Sequence, residues 1–435
     1  MSFSTLGLSP ALLLATAAKN YLAPTAIQAV AIPAILQGRD VLGTAQTGSG
    51  KTAAFVLPIL QQFEHLPAPK PRQLRIPKVL VLVPTRELAA QVGESFRALA
   101  QHLPHPPHLS SALKVTTVFG GVSINPQMMG LRGGTDVVVA TPGRLLDLVD
   151  HNALKLDSVK SLVLDEADRL FDLGFSEELS HLLSLLPDER QNLFFSATFP
   201  PAVERLAQTL LRDPVRVVIA AEPETQPDIL QRAIVVDAPR RTQLLRHLIE
   251  QNGWQRVLVF VATKHAAEIV AEKLRKARIN AEPFHGELSQ GKRTQVLADF
   301  KASRLKVVVA TDVAARGLDI AQLPVVVNFD LPRSAVDYVH RIGRTGRAGE
   351  SGVAVSFVSA ATEAHFHLIR KRQQIVLELE HVEGFEPTEL APVPSPANGG
   401  IKGKRPSKKD KLRAAARETR GIDMHGRAPL LDPER

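Results

Sequence analysis

The sequence predicts two α/β domains in tandem, each built on a doubly wound parallel sheet, with a disordered basic tail behind them. Short β-branched runs alternate with helical stretches, which is typical of parallel sheets covered by helices on both faces. A second series of such runs starts after residue 255, and a stretch rich in Pro, Glu and Thr near residues 219–227 separates the two series. A chain of 435 residues is also too long for one hydrophobic core.

The strands and the domain limits follow from this alternation. The first series predicts strands at residues 79–83, 115–119, 137–140, 161–164 and 192–195, and the second at 257–261, 281–284, 306–310, 325–329 and 353–357. The predicted organisation is an N-terminal domain over 1–218, a linker over 219–228, a C-terminal domain over 229–385 and a tail over 386–435. Because such sheets bind ligands beyond the carboxyl ends of their strands, residues that directly follow a run are the functional candidates.

Composition narrows the class of protein. Fifty-three Lys and Arg against 44 Asp and Glu give a net charge of +9, which favours a polyanionic partner such as nucleic acid. The absence of cysteine excludes disulfides, thiolate metal sites and cysteine nucleophiles, and it fits the cytoplasm. The apolar segment 11–18 is preceded by no Lys or Arg, so it does not read as a signal peptide. We expect a cytoplasmic protein without a membrane partner.

A glycine-rich loop lies between an apolar run at residues 40–42 and a helix-prone segment. Its residues are Ala45, Gln46, Thr47, Gly48, Ser49, Gly50, Lys51 and Thr52. Gly48 and Gly50 allow the backbone to approach phosphates, and a helix start adds positive charge there. Lys51 would neutralise the β- and γ-phosphates, and Thr52 would ligate Mg²⁺. Ala45 stands where the motif usually has glycine. The loop predicts a nucleoside triphosphate site, and the alternative is a Gly/Ser-rich linker.

Two carboxylates directly follow the predicted strand at 161–164. Asp165 at the strand end is placed to hold Mg²⁺, and Glu166 is placed to position or deprotonate an attacking water. The alternative is an acidic cluster on the surface. The location of the two carboxylates, after a strand and downstream of the glycine-rich loop, favours the catalytic interpretation.

The loop and the sequence Asp165-Glu166-Ala167-Asp168 together resemble the DEAD-box ATP-dependent RNA helicases. The resemblance extends over residues 3–347 and implies two RecA-like domains that close on ATP and RNA. It implies RNA-stimulated ATP hydrolysis and local unwinding of RNA duplexes. Residues 20–28 are similar to the family's adenine-reading motif, in which Gln28 would contact the adenine edge, with Tyr21 in the same site. Phe3 would pack on the base.

Further family motifs supply the implied RNA contacts. In the first domain these are Pro84, Thr85, Arg86, Gly120, Gly121, Thr141, Pro142, Gly143 and Arg144, and in the second Gln290, Arg293 and Thr311. Their hydroxyl, N–H and guanidinium groups suit phosphates, so binding to single strands and short duplexes should be largely independent of sequence.

The resemblance also implies residues that couple hydrolysis to movement of the domains. They are Ser196, Ala197, Thr198, Arg316, His340 and Arg341. Asp319 would reach the ribose hydroxyls. Arg344 and Arg347 would act as arginine fingers on the γ-phosphate when the domains close, a role worth about 10³ to 10⁵ in rate.

The remaining expectations concern the tail and the biological role. Residues 401–420 hold nine Lys or Arg against two acids, which indicates either a nucleic-acid arm or a solubilising tail. The tail and the chain length suggest the bacterial subgroup called RhlE-like. Ribosomal precursors and RNA-decay components are the candidate partners, and a monomer is expected. An ATP-gated RNA clamp and a DNA translocase are the alternative functions. His102, His105 and His108 read as an exposed loop rather than a metal site.

Overall fold

The computed structural model describes residues 2–44, 48–64, 74–103, 113–218, 229–315, 323–346 and 351–388. Within these ranges the chain forms two parallel α/β sheets, which confirms the predicted fold class. We call the elements up to Val218 the N-terminal lobe and those from Ile229 the C-terminal lobe. The predicted linker at 219–228, His105 and His108, and the tail from residue 389 lie outside the described residues.

The N-terminal lobe is a sheet covered by helices on both faces. Its strands are β1 Val41–Thr44, β2 Val79–Leu82, β3 Val115–Val118, β4 Val137–Ala140, β5 Ser161–Leu164, β6 Gln191–Ser196 and β7 Val215–Val218. Its helices are α1 Pro10–Ala18, α2 Ala26–Leu36, α3 Lys51–Glu64, α4 Arg86–Ala100, α5 Asn125–Leu131, α6 Pro142–Asp150, α7 Ala167–Asp172, α8 Ser176–Ser184 and α9 Pro201–Leu210.

The order of these strands brings the candidate residues together. Among the described residues the order is β3-β4-β2-β5-β6-β1-β7, with parallel pairing throughout. The carboxyl ends of β1 and β5 therefore face the same edge, separated only by β6. Gly43 in β1 permits this packing, because a Cβ there would lie 2.5 Å from the ring of Phe195.

The C-terminal lobe repeats the architecture. Its strands are β8 Ile229–Val235, β9 Val257–Val261, β10 Ala281–Phe284, β11 Val307–Thr311, β12 Val325–Asn328, β13 Gly352–Val358 and β14 Leu379–Glu380. Its helices are α10 Arg241–Gln251, α11 Lys264–Lys276, α12 Gln290–Lys301, α13 Asp312–Ala315, α14 Ala335–Ile342 and α15 Glu363–Gln373. The strand order is β10-β11-β9-β12-β13-β8-β14 among the described residues.

Every strand predicted from the sequence is present to within one residue at each end. The strands β7, β8 and β14 were not predicted. Arg216 and Val218 of β7 are exposed, and β8 carries Gln231 and Arg232, so neither run is continuously apolar. Strands that are fully buried, such as β2 and β4, are continuously apolar in sequence and could therefore be predicted.

Buried aromatic side chains fix α3 against the N-terminal sheet. Phe55 of α3 and Phe195 of β6 are fully buried, with ring centroids 5.5 Å apart. Burial of a side chain of this size contributes about 1.5–3 kcal/mol. The start of α3, where the glycine-rich loop ends, is therefore held rigidly at the sheet edge. Among the helices in the described ranges, none combines the length and apolar composition that crossing a bilayer requires.

Candidate active site

A cavity of about 500 Å³ opens at the carboxyl edge of the N-terminal sheet. It brings together residues from the three predicted nucleotide motifs, among them Tyr21, Gln28, Gly48, Gly50, Lys51, Thr52, Asp165 and Glu166. Ligand sites in proteins are usually clefts of about 300–1,000 Å³ with a few convergent polar groups. The cavity therefore has the size and the chemistry of a nucleotide site.

The glycine-rich loop has the backbone that its sequence predicts. Gly48 and Gly50 both have a φ of 90°, a conformation that residues with a side chain rarely adopt. A Cβ at Gly50 would also lie 2.5 Å from Nε2 of Gln28. Lys51 is the first residue of α3 and is 7% exposed, so its ammonium group belongs to the cavity wall. Gln46 and Thr47 lie outside the described residues.

The opposite end of the cavity is formed by the predicted adenine motif. Tyr21 lines the cavity and stacks on Phe3, with ring centroids 6.5 Å apart and planes inclined by 30°. The sequence predicted that Phe3 packs on the base. In the structure Phe3 is only 4% exposed and packs in the core behind Tyr21, so it does not line the cavity. Among the described residues that line the cavity, Tyr21 supplies the aromatic ring.

Gln28 is already engaged in two hydrogen bonds. Its Oε1 accepts from the backbone N–H of Thr25 at 2.9 Å, and its Nε2 donates to the carbonyl of Gly50 at 3.1 Å. Thr25 is the N-cap of α2, so the amide joins the start of that helix to the glycine-rich loop. The side chain is 5% exposed.

The two carboxylates after β5 have different environments. Burial raises the pKa of Asp165 to about 6, with Lys51 opposing the shift and Glu166 adding to it. Asp165 Oδ1 accepts from the backbone N–H of Glu166 at 2.9 Å. Glu166 has the left-handed conformation, with φ and ψ both 51°, which is strained for a residue with a side chain. Asp165 and Thr52 line the same cavity. A buried carboxylate and a threonine hydroxyl are donors that suit Mg²⁺, because a cation offsets the cost of burying the charge.

Asp168 links this segment to the predicted coupling residues. Its Oδ2 accepts from the backbone N–H of Thr198 at 3.0 Å and from the Thr198 hydroxyl at 2.8 Å. The Ser196 hydroxyl accepts from the Asp168 N–H at 3.1 Å and donates to the Thr198 carbonyl at 2.7 Å. Ala197 lies between them at the end of β6. These hydrogen bonds would therefore transmit a displacement of Asp165 or Glu166 to the backbone at the end of β6.

The predicted phosphate-binding residues of the N-terminal lobe gather at the ends of β2, β3 and β4. Pro84 and Thr85 follow β2, and the Thr85 hydroxyl caps α4 by accepting from the Leu88 N–H at 3.2 Å. Gly120 follows β3, with open space where a Cβ would stand. Thr141 caps α6, and Pro142 and Gly143 form its first turn.

Two arginines stand out in this group. The Arg86 guanidinium covers Gly121, where a Cβ would lie 1.8 Å from Nη2. Gly121 also has a φ of 73°, a conformation that favours glycine. Burial lowers the pKa of Arg86, and Arg293 and Arg144 lower it further. Arg144 donates from Nη2 to the carbonyl of Val122 at 2.7 Å, and its Nε lies 3.5 Å from Oδ2 of Asp147. Among the described residues, the buried Nε and Nη1 have no hydrogen-bond partner. Clustered guanidinium groups with unsatisfied N–H donors suit a phosphate chain.

The sequence predicted that Arg293 contacts RNA, but in the structure Arg293 is buried and paired. It is 3% exposed, donates from Nε to Oε1 of Glu87 at 2.7 Å and from Nη1 to the carbonyl of His285 at 2.8 Å. Its guanidinium also lies 4.4 Å from the centroid of the Phe284 ring. Glu87 is in α4 and Arg293 in α12, so this buried ion pair joins the two lobes.

Arg341 is also held within its own lobe, whereas the sequence predicted a coupling residue. Its Nε and Nη2 form a two-point ion pair with Asp312 at 2.6 and 2.7 Å, and its Nη1 donates to the carbonyl of Asp330 at 2.6 Å. The side chain is 3% exposed and covers the Phe260 ring. Arg341 therefore braces the end of β11 and α13 against α14.

The other predicted residues of the C-terminal lobe lie at its carboxyl edge. Thr311 ends β11, and His340 and Arg344 lie on and just after α14. Gln290 begins α12, and its buried Oε1 has no hydrogen-bond partner within the part of the chain that the structure describes. His340 contacts Arg169 of the N-terminal lobe. Arg316, Asp319 and Arg347 lie outside the described residues.

The sequence reasoning missed the residues that connect the lobes. Glu87 directly follows the predicted RNA contact Arg86, Arg169 directly follows Asp168, and Asp337 lies three residues before His340. This proximity to predicted residues is the signal that the sequence offered. A pair that is 206 residues apart in the chain, such as Glu87 and Arg293, leaves no trace in local periodicity.

Comparison with known proteins agrees with this geometry. The family model described as DEAD/DEAH box helicase matches residues 25–206, and that of the helicase conserved C-terminal domain matches residues 240–349. The ATP-dependent rRNA helicase RRP3 of Gibberella zeae is 42% identical over 360 residues, which cover 82% of this chain and 71% of the relative. This chain belongs to the DEAD/DEAH box helicase family.

Other members of the family extend the comparison. The ATP-dependent RNA helicase DeaD of Buchnera aphidicola is 40% identical over 358 residues, or 82% of this chain, and the matched part is only 57% of the relative's length. Saccharomyces cerevisiae Dbp5, in a structure bound to RNA and ADP BeF3, aligns with a TM-score of 0.74 at 30% identity. That alignment covers 87% of this chain and 95% of Dbp5 in that structure.

Proposed function

We propose that this DEAD-box protein is an ATP-dependent RNA helicase, an ATP hydrolase that remodels RNA. The observation that carries the proposal is the single cavity in which Lys51, Asp165 and Glu166 meet. The relatives DeaD and RRP3, which are named as ATP-dependent RNA helicases, support the same activity. Hydrolysis would be stimulated by RNA and coupled to closure of the lobes, because RNA and ATP each complete a surface shared by both.

ATP would lie along the cavity between the two motifs that form its ends. Gly48, Gly50 and the start of α3 would direct N–H groups at the phosphates, and Lys51 would neutralise them. Tyr21 would cover the adenine with Phe3 behind it, and Gln28 would meet the adenine edge while it ties the loop to α2. Ser49 completes the loop, with Gln46 and Thr47 preceding it in the sequence. Asp319 would contact the ribose.

Mg²⁺ would be held by the Thr52 hydroxyl and the Asp165 carboxylate, and it would neutralise phosphate charge. Glu166, fixed in its strained backbone conformation, would orient the attacking water and accept its proton. Arg344, and Arg347 by the family resemblance, would stabilise negative charge on the transferred phosphoryl group from the opposite lobe. Asp168, Ser196 and Thr198 would pass the change to the RNA surface.

RNA would bind along the carboxyl edges of both lobes, chiefly through its phosphates. Arg86 and Arg144 offer the positive charge, and Thr85, Thr141 and the N–H groups near Gly120 and Gly143 offer neutral donors. The Dbp5 structure bound to RNA supports this class of ligand. Such contacts carry no base readout, so single strands and short duplexes of any sequence should bind, with RNA preferred through its A-form geometry and 2′-hydroxyl.

Several finer features belong to the same proposal. Within this proposal the protein is a monomeric, cytoplasmic member of the RhlE-like subgroup that acts on ribosomal precursors or in RNA decay. The basic tail supports the subgroup, and the bacterial relative DeaD supports the location. The matched part of the chain spans about three fifths of the length of the DeaD relatives, 57% of one and 61% of the other. An ATP-gated RNA clamp with little unwinding is the second candidate, since turnover could time release alone.

The test is steady-state ATP hydrolysis with and without single-stranded RNA. We expect stimulation in the wild type, its loss in Glu166→Gln, and no change in Glu177→Gln, a matched exposed glutamate of α8. DNA of the same sequence separates a helicase acting on RNA from a DNA translocase. Unwinding of short duplexes, compared with the lifetime of the complex in a non-hydrolysable analogue, separates the helicase from the clamp. Hydrolysis that ignores RNA would contradict the proposal.

A further inference from the structure

Arg169 connects the N-terminal lobe to the C-terminal lobe beside the active site. It follows Asp168 directly, lies in α7 and is 7% exposed. Its Nη2 contacts Nδ1 of His340, and its Nη1 lies 3.6 Å from Oδ1 of Asp337. Both partners belong to α14, which makes Arg169 a bridge between two helices of different lobes.

The same guanidinium has a second carboxylate at a similar distance. Asp172, one turn along α7, lies 3.5 Å from Nη1. Asp172 is half exposed, whereas Asp337 is 20% exposed in its side chain. Attraction between charges is screened less where water is excluded, so the Asp337 pair should be the stronger of the two. Asp172 thus forms a pair within the N-terminal lobe, and Asp337 forms a pair between the lobes, so the two can be compared.

The contact with His340 requires a neutral imidazole. An arginine only donates hydrogen bonds, so the Nδ1 that faces it must accept. Burial, and then the charge of Arg169, lower the pKa of His340 to about 4. The ring is therefore neutral near pH 7 and available as an acceptor. The ion pair and the hydrogen bond together fix Arg169 at two points of α14.

We propose that Arg169 is a positioning residue that docks α14 on the DEAD segment and so sets the position of Arg344 at the active site. Helix α14 ends at Ile342, two residues before Arg344, so its placement decides where that guanidinium lies. On the other side, Asp168 next to Arg169 holds Thr198. The inference rests on the proposed function and adds to it a residue that touches neither ATP nor RNA.

The test compares four variants in the full chain: Arg169→Gln, Asp337→Asn, the double variant and Asp172→Asn as the matched control. We expect Arg169→Gln and Asp337→Asn each to raise the RNA concentration for half-maximal ATPase by about tenfold, in the range measured for close charge pairs across interfaces. The double variant should be no worse than the more affected single variant, because both remove one contact. Asp172→Asn should stay within about twofold of the wild type.

Two further readouts separate positioning from a general loss of structure. Binding of a fluorescent ATP analogue without RNA should be unchanged in all four variants, since the cavity belongs to the N-terminal lobe. Fluorophores on the two lobes should report less closure with RNA and the analogue in Arg169→Gln and Asp337→Asn only. If Arg169→Gln and Asp337→Asn both behave like the wild type, or if Asp172→Asn has an equal effect, this inference is wrong while the proposed function stands. A wild type without RNA stimulation would overturn the proposed function as well.

Discussion

Gln28 donates a hydrogen bond from its side-chain Nε2 to the carbonyl oxygen of Gly50 at 3.1 Å. The same amide accepts from the N–H of Thr25 at 2.9 Å. Gly50 has a φ of 90°, and a Cβ there would lie 2.5 Å from the same Nε2, so glycine permits this close contact. The adenine end and the phosphate end of the cavity are therefore joined through the side-chain amide of Gln28.

We expect Gln28→Glu to raise the ATP concentration for half-maximal hydrolysis by about 10- to 100-fold, since a lost hydrogen bond that leaves a charge facing a carbonyl costs roughly 1.5–3 kcal/mol. The measurement is ATPase rate against ATP at saturating RNA. Gln61→Glu is the control, because Gln61 bridges the Ser9 N–H and the Gly7 carbonyl in the same way, at 2.8 and 2.9 Å, away from the cavity. Equal effects of the two changes would contradict the assignment.

The buried pair of Glu87 and Arg293 gives a second prediction. Arg293→Met should raise the RNA concentration for half-maximal ATPase at least about tenfold, because a buried carboxylate left without its partner costs roughly 3–5 kcal/mol. Arg97→Met is the control, since Arg97 pairs with Glu94 on the exposed face of α4, the helix that carries Glu87. The double variant Arg293→Met with Glu87→Leu should recover part of the loss. A single variant with wild-type RNA dependence would show that the lobes close without this pair.

Sequence patterns predicted the sheets and the nucleotide cavity because both depend on local features. The run at Val79–Leu82 is apolar throughout, and Gly50-Lys51 follows a strand end and starts a helix. The contacts between the lobes depend on which two surfaces meet, and periodicity holds no information on that. The sequence therefore predicted an RNA contact for Arg293 and a coupling role for Arg341, whereas the structure pairs them with Glu87 and Asp312. The buried position of Phe3 also depends on a packing contact, because Phe3 stacks behind Tyr21 and Tyr21 lines the cavity.

The lowered pKa of His340 predicts how stability depends on pH. Because its pKa is about 4 in the folded protein, against 6.5 for the ordinary side chain, folding favours the neutral ring. This contribution is complete above about pH 6.5 and is lost as the pH falls towards 4. We expect the thermal midpoint of the wild type to fall more steeply between pH 7 and pH 5 than that of His340→Asn. His151→Asn, at an exposed histidine, should follow the wild type. Parallel curves for wild type and His340→Asn would contradict the prediction.

The basic tail gives the last prediction, and the structure defines where to cut. Thr388 donates from its N–H and its hydroxyl to Oδ2 of Asp237 at 2.9 and 2.8 Å, so a truncation should remove residues 389–435 and leave 386–388 in place. If about five tail residues meet phosphates, the slope of log affinity against log salt should fall by roughly 3 to 4 units. Fluorescence anisotropy with single-stranded RNA between about 50 and 200 mM salt measures that slope.

A full-length variant with the nine Lys and Arg of residues 401–420 changed to Gln is the matched control for this truncation. It keeps the length of the tail and removes most of its positive charge, so it should reproduce the lower slope if charge is the cause. The maximal ATPase at saturating RNA should stay within about twofold, because the cavity and both lobes are intact. An unchanged slope in both variants would mean that the tail makes no phosphate contacts and that all RNA affinity comes from residues such as Arg86 and Arg144.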